Sequence, residues 1–235
     1  MKETQKILVV DDDREIVKVL SKLLELEGYE VYGAYDGMEA LEVLTRSQIH
    51  LILLDVMMPK LDGLSTLMEV RKRQNIPVMI LSAKTEESDK VLGLSMGADD
   101  YVSKPFQTAE LMARVRSLLR RYMTLGDVKR QQEDNSLLKT GGLVLDIKGR
   151  TLFVDGEKVR LTATEYKITE FLMQHMGQVF SAEEIYARVW NEDAFAVENT
   201  VMVHIRRIRE KIEIDTKNPK YLKVVWGIGY KMEKI

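Results

Sequence analysis

The sequence predicts two domains of different construction. The first is α/β, a five-stranded parallel sheet with helices on both faces. The second is a smaller α+β domain. Three observations predict this. Short apolar runs alternate five times with stretches of helical period over residues 1–122. Those runs are apolar almost throughout, as strands covered on both faces must be. Beyond a polar stretch at 123–140 the rhythm changes to short strands with glycine turns, three helical patterns and a last pair of strands. We therefore divide the 235-residue chain into domains at 1–122 and 141–235, joined by a linker at 123–140.

The elements follow in order. KILVV (6–10) is read as the first strand. Residues 14–27 carry apolar side chains at 16, 17, 19, 20, 23, 24 and 26, a helical spacing that Gly28 ends. YEVYGA gives a strand, 37–46 a helix, and HLILLD (50–55) a third strand. Helix 64–73, strand IPVMIL (76–81), helix 86–95, strand DDYVSK (99–104) and helix 107–121 complete the first domain. In the second, turns are expected at Lys148-Gly149 and Asp155-Gly156. Thr162 or Thr164 caps the next helix, and Ser181 with Glu184 has capping-box spacing. Residues 197–213 make the third helix, and YLKVVWGIGYKME closes the chain as two strands around Gly227-Ile228-Gly229. Strands, three helices and a hairpin in that order suggest a winged helix-turn-helix.

Composition narrows the function. The chain has no cysteine, which excludes disulfides, thiolate zinc sites and cysteine nucleophiles. MKETQK runs straight into a strand without a signal-peptide apolar region, and no window approaches eighteen apolar residues. A cytoplasmic protein with no membrane attachment is expected. Residues 1–122 hold 17 Lys and Arg against 20 Asp and Glu, whereas residues 199–235 hold 9 against 4. That basic end is either a nucleic-acid footprint or a solvated face.

Open parallel sheets bind ligands at the carboxyl ends of their strands. Asp11, Asp12 and Asp13 follow the first strand, Asp55 ends the third, Ser82 follows the fourth and Lys104 the fifth. Asp13 is read as a helix cap. Asp55 alone, after Leu51, Ile52, Leu53 and Leu54, reads equally as a strand end or a reactive carboxylate. Four strands converging on one edge favour the reactive reading. Clustered carboxylates repel one another, and a hard divalent cation relieves this. Mg2+ takes oxygen ligands and keeps several waters, so Asp12, Asp55 and the Met57 carbonyl would suit it, with Asp11 nearby. A carboxylate so placed is a nucleophile toward phosphorus, with Lys104 and Ser82 facing the transferred phosphoryl group.

VVDDD, LLDVMMPKLDG, ILSAK and DDYVSKPF resemble, in order and spacing, the blocks of the CheY-like receiver domain of two-component response regulators. The resemblance spans about residues 5–122. It implies that Asp55 accepts a phosphoryl group from a sensor histidine kinase or a small phosphodonor. It also implies that Asp11 and Asp12 hold magnesium, that Ser82 and Tyr101 switch, and that Lys104-Pro105 is cis. Lys90 with Glu110, and Asp100 with Arg114, are the charge pairs it implies across a homodimer formed on phosphorylation. A third pair lacks its acid, since Ser95 stands opposite Arg116.

The helix at 197–213 has apolar Val201, Val203, Ile205, Ile208 and Ile212 and polar Asn199, Thr200, His204, Arg206, Arg207, Arg209 and Lys211. Arg207 and Lys211, four apart, share a face. An apolar back and a basic front suit the major groove of double-stranded DNA, where arginine clamps a guanine edge. His204 has the alternative of packing at the helix edge. LTATEYKITEFL, SAEEIYARVW, NTVMVHIRRIREKIE and VVWGIGYKM resemble the winged-helix effector of the OmpR/PhoB family. The resemblance implies base reading by Arg207, mainly backbone contacts by Thr200, His204, Arg206 and Arg209, and a wing at 222–232. It places the RNA polymerase contact at 190–197. Trp226 stands where an arginine is common in the wing, and Lys223 is placed to compensate. The VWGIGYK wing resembles the vancomycin-resistance regulators.

Two other function classes compete. A phosphatase of the haloacid dehalogenase type needs a second aspartate where Met57 stands. A binding module independent of phosphorylation usually lacks the acids or the lysine, and here Asp11, Asp12, Asp55 and Lys104 are all present. The expected function is a phosphorylation-dependent transcriptional regulator binding direct repeats, catalysing only its own phosphotransfer and slow dephosphorylation.

Overall fold

Five apolar runs become five parallel strands. The computed structural model describes residues 4–83, 87–124, 137–190 and 198–235. The chain divides into two units, Met1–Tyr122 and Met123–Ile235. In the first, β1 (Lys6–Val10), α1 (Arg14–Leu26), β2 (Glu30–Ala34), α2 (Gly37–Arg46) and β3 (Leu51–Asp55) alternate regularly. The alternation continues through α3 (Gly63–Arg73), β4 (Val78–Ser82), α4 (Glu87–Ser95), β5 (Asp100–Ser103) and α5 (Thr108–Thr124). The sheet order is β2-β1-β3-β4-β5. All ladders are parallel, with Asp55 beside Leu81 and Ser82 beside Ser103.

Alternation explains the continuous apolar runs. Ile7, Val9, Leu51, Leu53, Met79 and Leu81 point to one face and pack on Leu20 and Leu24 of α1 and Leu111, Val115 and Leu118 of α5. Their neighbours Leu8, Ile52, Leu54 and Ile80 point the other way and are equally buried. Local signals set the helix starts. Asp13 caps α1 by accepting from the Glu15 and Ile16 N–H groups, Asp36 caps α2 and Asp62 caps α3. Gly28 ends α1 at φ 89°.

The second unit opens with a four-stranded antiparallel sheet, β6 (Leu137–Thr140), β7 (Leu143–Asp146), β8 (Thr151–Val154) and β9 (Glu157–Val159). It continues with α6 (Ala163–Gln174), α7 (Ala182–Trp190), α8 (Glu198–Ile212) and the hairpin β10 (Leu222–Val225) and β11 (Gly229–Met232). One detail corrects the sequence reading. The sheet begins at Leu137, inside the stretch read as linker. β6 lies at the sheet's edge with alternate residues exposed, so its apolar content is too low to announce a strand. At the first turn the left-handed residue is Arg150 (φ 49°), with the Gly149 N–H bonded to Asp146. The second turn, Asp155-Gly156, has both φ values positive, as a tight hairpin needs. Thr162 caps α6 in a capping box with Glu165, and Ser181 and Glu184 bond reciprocally at the start of α7. The core gathers Leu143, Leu145, Ile168, Leu172, Ile205 and Ile208 around Trp190, which stacks on Tyr186 at 4.6 Å.

Candidate functional site

The carboxyl edge of the parallel sheet brings Asp11, Asp55, Ser82 and Lys104 to the ends of four strands. Lys104 Nζ donates to Asp11 Oδ2 at 2.5 Å and to Asp55 Oδ1 at 2.6 Å. The other oxygen of Asp55 accepts from the Met57 N–H at 2.6 Å. Asp11 also accepts from the Asp13 N–H, which ties the first acidic loop to its helix cap. Asp55 is 4 % exposed, Asp11 2 % and Ser82 fully buried, whereas Asp12 lies on the surface. Tyr101 is buried in β5, and Lys104-Pro105 is cis.

Burial and charge oppose one another at Asp55. Burial pushes the Asp55 carboxyl above its usual range. The hydrogen bond and charge of Lys104 oppose this, and the Asp11 charge adds to it. For Lys104 burial favours the neutral amine, yet its bonds to Asp11 and Asp55 prevail and its pKa is raised. The lysine therefore stays cationic between two acids. Among the described residues no group of three or more His, Cys, Asp or Glu stands together as a metal centre.

Sequence reasoning missed two supports of this site. Asp36 is buried, caps α2 with one oxygen and accepts from Lys60 Nζ at 2.5 Å with the other. Lys60 adopts φ 63° in the loop after Asp55, so the pair ties that loop to the β2–α2 turn. Gly37 adds its N–H bond to the Leu61 carbonyl, 3.2 Å, and a Cβ there would sit 1.9 Å from Thr66 Oγ1. Arg71 of α3 is the second support. It donates to Gly97 and Ile76 carbonyls and to buried Asp99, tying α3 to the residues before β5. The residue types were visible, but pairings across 24 and 28 positions carry no local signal.

At the residues read as a dimer face, Arg114 reaches Asp100 at 3.2 Å and Glu110 at 3.1 Å within one chain. Lys90 is half-buried on α4. Within its own chain Arg116 pairs with Glu27 at the end of α1, 3.1 Å away.

On α8 the structure sorts the basic residues. Arg206 lies on solvent, paired with Glu210 one turn on. Arg207 and Lys211 turn inward to Glu165 of α6, at 3.0 and 2.5 Å. Glu165 is fully buried, and its Oε2 also accepts from the Thr162 N–H. The Arg207 contact is a charge contact, poorly aligned for a hydrogen bond. Arg209 Nε donates to the Leu222 carbonyl at 2.8 Å. Thr200 is buried, and His204 is fully buried with its ring 5.6 Å from Trp190, the packing alternative raised for it. Asn199 is half-buried, Met202 and Arg206 exposed, one stripe along the helix. Trp226 does not pack on α8: it is 90 % exposed at the hairpin tip, with Lys223 half-buried in β10. The expected polymerase contact at 190–197 falls, beyond Trp190, outside the described residues.

Comparison with known proteins agrees with both halves. Residues 7–116 match the response regulator receiver domain, and residues 156–232 match the C-terminal domain of transcriptional regulatory proteins. The chain is 40 % identical over 232 residues to the regulatory protein VanR of Enterococcus faecium, covering 98 % of this chain and all of VanR. It is 42 % identical to VanRc of Enterococcus gallinarum, again over 98 % of this chain and all of the relative. The crystal structure of DrrB, a Thermotoga maritima OmpR/PhoB homologue, is 31 % identical with a TM-score of 0.52, over 98 % of this chain and all of DrrB.

The chain is an OmpR/PhoB-type response regulator. As a member of that family it is a phosphorylation-dependent, DNA-binding transcriptional regulator of a two-component system, with a cognate kinase. Receiver domains of the family catalyse their own phosphotransfer and dephosphorylation. A RitR variant at 24 % identity shares the fold with a TM-score of 0.77, over 98 % of this chain and 99 % of its own. No helix among the described residues is long and apolar enough to cross a membrane.

Proposed function

We propose that this regulator is phosphorylated on Asp55, belongs with the VanR-like members of its family, and binds direct-repeat DNA as a dimer. The observation that carries the first part is Lys104, held between Asp11 and Asp55 at 2.5 and 2.6 Å. A buried carboxylate beside a fixed ammonium has both the nucleophile and the charge a phosphoryl group needs. An Asp55 oxygen attacks phosphorus. The bond from phosphorus to the donor's leaving group breaks, and its electron pair leaves with that group. Lys104 then balances the new phosphoryl charge, and the Ser82 hydroxyl turns toward it beside Tyr101, whose ring is already buried.

The donor set suits Mg2+. Two carboxylates and a carbonyl are few and hard, leaving positions for water. Asp12, Asp55 and the Met57 carbonyl would hold the ion, with Asp11 close by to bind it or one of its waters, and when bound it would neutralise phosphoryl charge. Dimerisation through Lys90, Asp100, Glu110 and Arg114 requires Arg114 to exchange partners within its own chain for partners across the interface. The Arg114–Glu110 pair is partly exposed and individually weak, whereas Asp100 is buried, so exchange there must leave its carboxylate partnered. Linking two modest DNA modules then raises occupancy through effective concentration.

On α8 we assign the outward contacts to Asn199 and Arg206, since Arg206 is bound only by an exposed i,i+4 pair. Arg207, Lys211, Arg209, His204 and Thr200 act from anchored positions. RNA polymerase is the further partner this reading carries. The VanR-like assignment is supported by the 40–42 % identities and the VWGIGYK wing.

The test is intact mass of wild type and Asp55→Asn after acetyl phosphate with Mg2+, followed by size exclusion. One phosphoryl adduct on wild type, absent in the variant and lost with EDTA, with a shift to dimer, is expected. No adduct on an already dimeric wild type would overturn the reading in favour of a phosphorylation-independent module.

A further inference from the structure

The end of β2 and the turn into α2 touch both loops that carry the candidate metal ligands. On one side is the acidic loop after β1. There the Asp11 N–H donates to the Ala34 carbonyl at 3.2 Å, and the Arg14 guanidinium lies over the Tyr35 ring, 4.2 Å from its centre. On the other side is the loop after β3. There the Lys60 ammonium donates to Asp36 at 2.5 Å, and the Leu61 carbonyl accepts from the Gly37 N–H at 3.2 Å. The turn between these contacts is itself braced. The Glu39 carboxylate accepts from the Tyr35 N–H, and the Asp36 carboxylate from the Glu39 N–H, both at 2.9 Å.

Lys60 is the odd residue in this assembly. Its φ of 63° suits glycine, and any side chain there carries strain. The side chain is nonetheless a lysine, and it meets a buried acid whose other oxygen is taken by the α2 cap. A backbone outlier held by so specific a contact points to function. The function lies at Met57, earlier in the same loop. The Met57 N–H is fixed on Asp55 at 2.6 Å, and the Val56 carbonyl on the Gly63 N–H at 3.0 Å. The Met57 carbonyl accepts nothing from the described residues, so its place is set by these anchors and by Lys60.

We infer that the β2–α2 turn is a strut that sets the spacing of the two ligand loops, and that Lys60, clamped to Asp36, is a positioning residue that makes the site selective for Mg2+. The inference rests on the Mg2+ and Asp55 reading above and adds what tunes that site. Selectivity follows from size. Mg2+ demands near-octahedral oxygens at about 2.0–2.1 Å, whereas Ca2+ accepts irregular sets at about 2.3–2.6 Å. A displaced Met57 carbonyl therefore harms Mg2+ binding more than Ca2+ binding. The sign is diagnostic. Loss of a lysine charge near a cation site would, through charge alone, tighten both ions. Loss of positioning weakens Mg2+ and spares Ca2+.

The test uses the full chain as wild type, Lys60→Gly and Lys60→Arg. Glycine relieves the backbone strain, so that variant keeps its fold, and arginine restores a cation for Asp36. The receiver melting transition is followed by calorimetry against Mg2+ and, separately, Ca2+. Each protein is referred to itself in EDTA, which yields both dissociation constants. Lys60→Gly is expected to bind Mg2+ several-fold more weakly, with Ca2+ affinity unchanged or higher, and Lys60→Arg to recover most of the Mg2+ affinity. In acetyl phosphate labelling read by intact mass, the Mg2+ concentration giving half the maximal rate should rise several-fold in Lys60→Gly. The rate at saturating Mg2+ should change little. Unaltered Mg2+ affinity in Lys60→Gly, tightening of both ions, equal weakening of both, or no recovery in Lys60→Arg would overturn the positioning role and leave the Mg2+ reading standing. No rise in melting with Mg2+ in wild type would overturn both.

Discussion

Glu165 is the residue whose loss should reveal most about the effector domain. It is fully buried; Lys211 at 2.5 Å and the Thr162 N–H at 2.8 Å donate to it, and the Arg207 charge stands 3.0 Å away. Glu165→Gln keeps the shape and the capping acceptor but removes the charge. Removing one partner of a buried ion pair costs about 3–5 kcal/mol. Here the full figure does not apply, because Lys211 is 29 % exposed and can swing into water, whereas Arg207 is only 12 % exposed. We expect a loss of about 2–3 kcal/mol. Glu165→Ala also removes the capping box and should lose about 1 kcal/mol more. The domain's whole stability is of order 5–15 kcal/mol, so either change is large.

The assay is urea unfolding of the full chain followed by tryptophan emission. Both tryptophans lie in the second unit, so the receiver is silent. With a urea slope of about 1–3 kcal/mol/M, the Glu165→Gln midpoint should fall by about 1–2 M. Adding Arg207→Met to Glu165→Gln should cost less than the two changes summed, since the first change already strands the guanidinium. A Glu165→Gln midpoint within about 0.3 M of wild type would refute the reasoning. It would mean that the cations are solvated in place and Glu165 acts only as a cap.

Three further outcomes are expected. Lys104→Met leaves Asp11 and Asp55 facing each other without their shared cation, so the receiver should melt lower in EDTA. Added Mg2+ should raise its melting temperature more than in wild type, read by calorimetry as the transition that tryptophan does not see. Asp36 is held below the usual carboxylate range by the Lys60 hydrogen bond and then the Glu39 N–H, and Asp62 by the Ser65 N–H and hydroxyl. Their stabilisation is present above the unfolded value of about 3.9 and lost as pH falls through the depressed folded values. Receiver stability measured against pH in Asp36→Asn and Asp62→Asn should therefore be lower near neutrality and flatter on the acid side. A Cβ at Gly63 would lie 2.0 Å from the Asp55 carbonyl oxygen, so Gly63→Ala should lose about 2–3 kcal/mol in thermal unfolding and label poorly with acetyl phosphate.

What was legible in the sequence was whatever is local. The continuous apolar runs named β1, β3 and β4 because both faces are covered, whereas the edge strand β2, with Glu30 and Gly33 exposed, is less apolar. Asp13, Thr162 as one of two candidates, and the Ser181–Glu184 spacing marked caps that the structure contains. The convergence of Asp11, Asp55, Ser82 and Lys104 followed from parallel topology alone. What was not legible depends on packing between elements. Arg207 and Lys211 were seen to share a face, but only the seating of α8 on α6 decides that this face meets Glu165. Glu165 had no role in the sequence reading, and its task between Arg207 and Lys211 has no sequence signature. Lys60 gave no sign of its left-handed backbone or of Asp36, 24 residues away.

The two domains use one device with opposite excess. In the receiver one buried lysine is shared by two carboxylates, so the cluster of Asp11, Asp55 and Lys104 carries net negative charge. It stands ready for a cation and can hold a phosphoryl group only where one is supplied, which fits an equilibrium controlled by phosphorylation. In the effector one buried carboxylate is shared by Arg207 and Lys211, so that cluster carries net positive charge beneath α8, the helix we propose faces DNA. Burial keeps both excesses from being screened fully by salt. The charge left over, rather than the pairing itself, sets what each end of the protein attracts. It also separates two kinds of variant. Removing Lys104 or Glu165 alters the excess and the fold together, whereas removing exposed Arg206 alters DNA affinity with the fold intact.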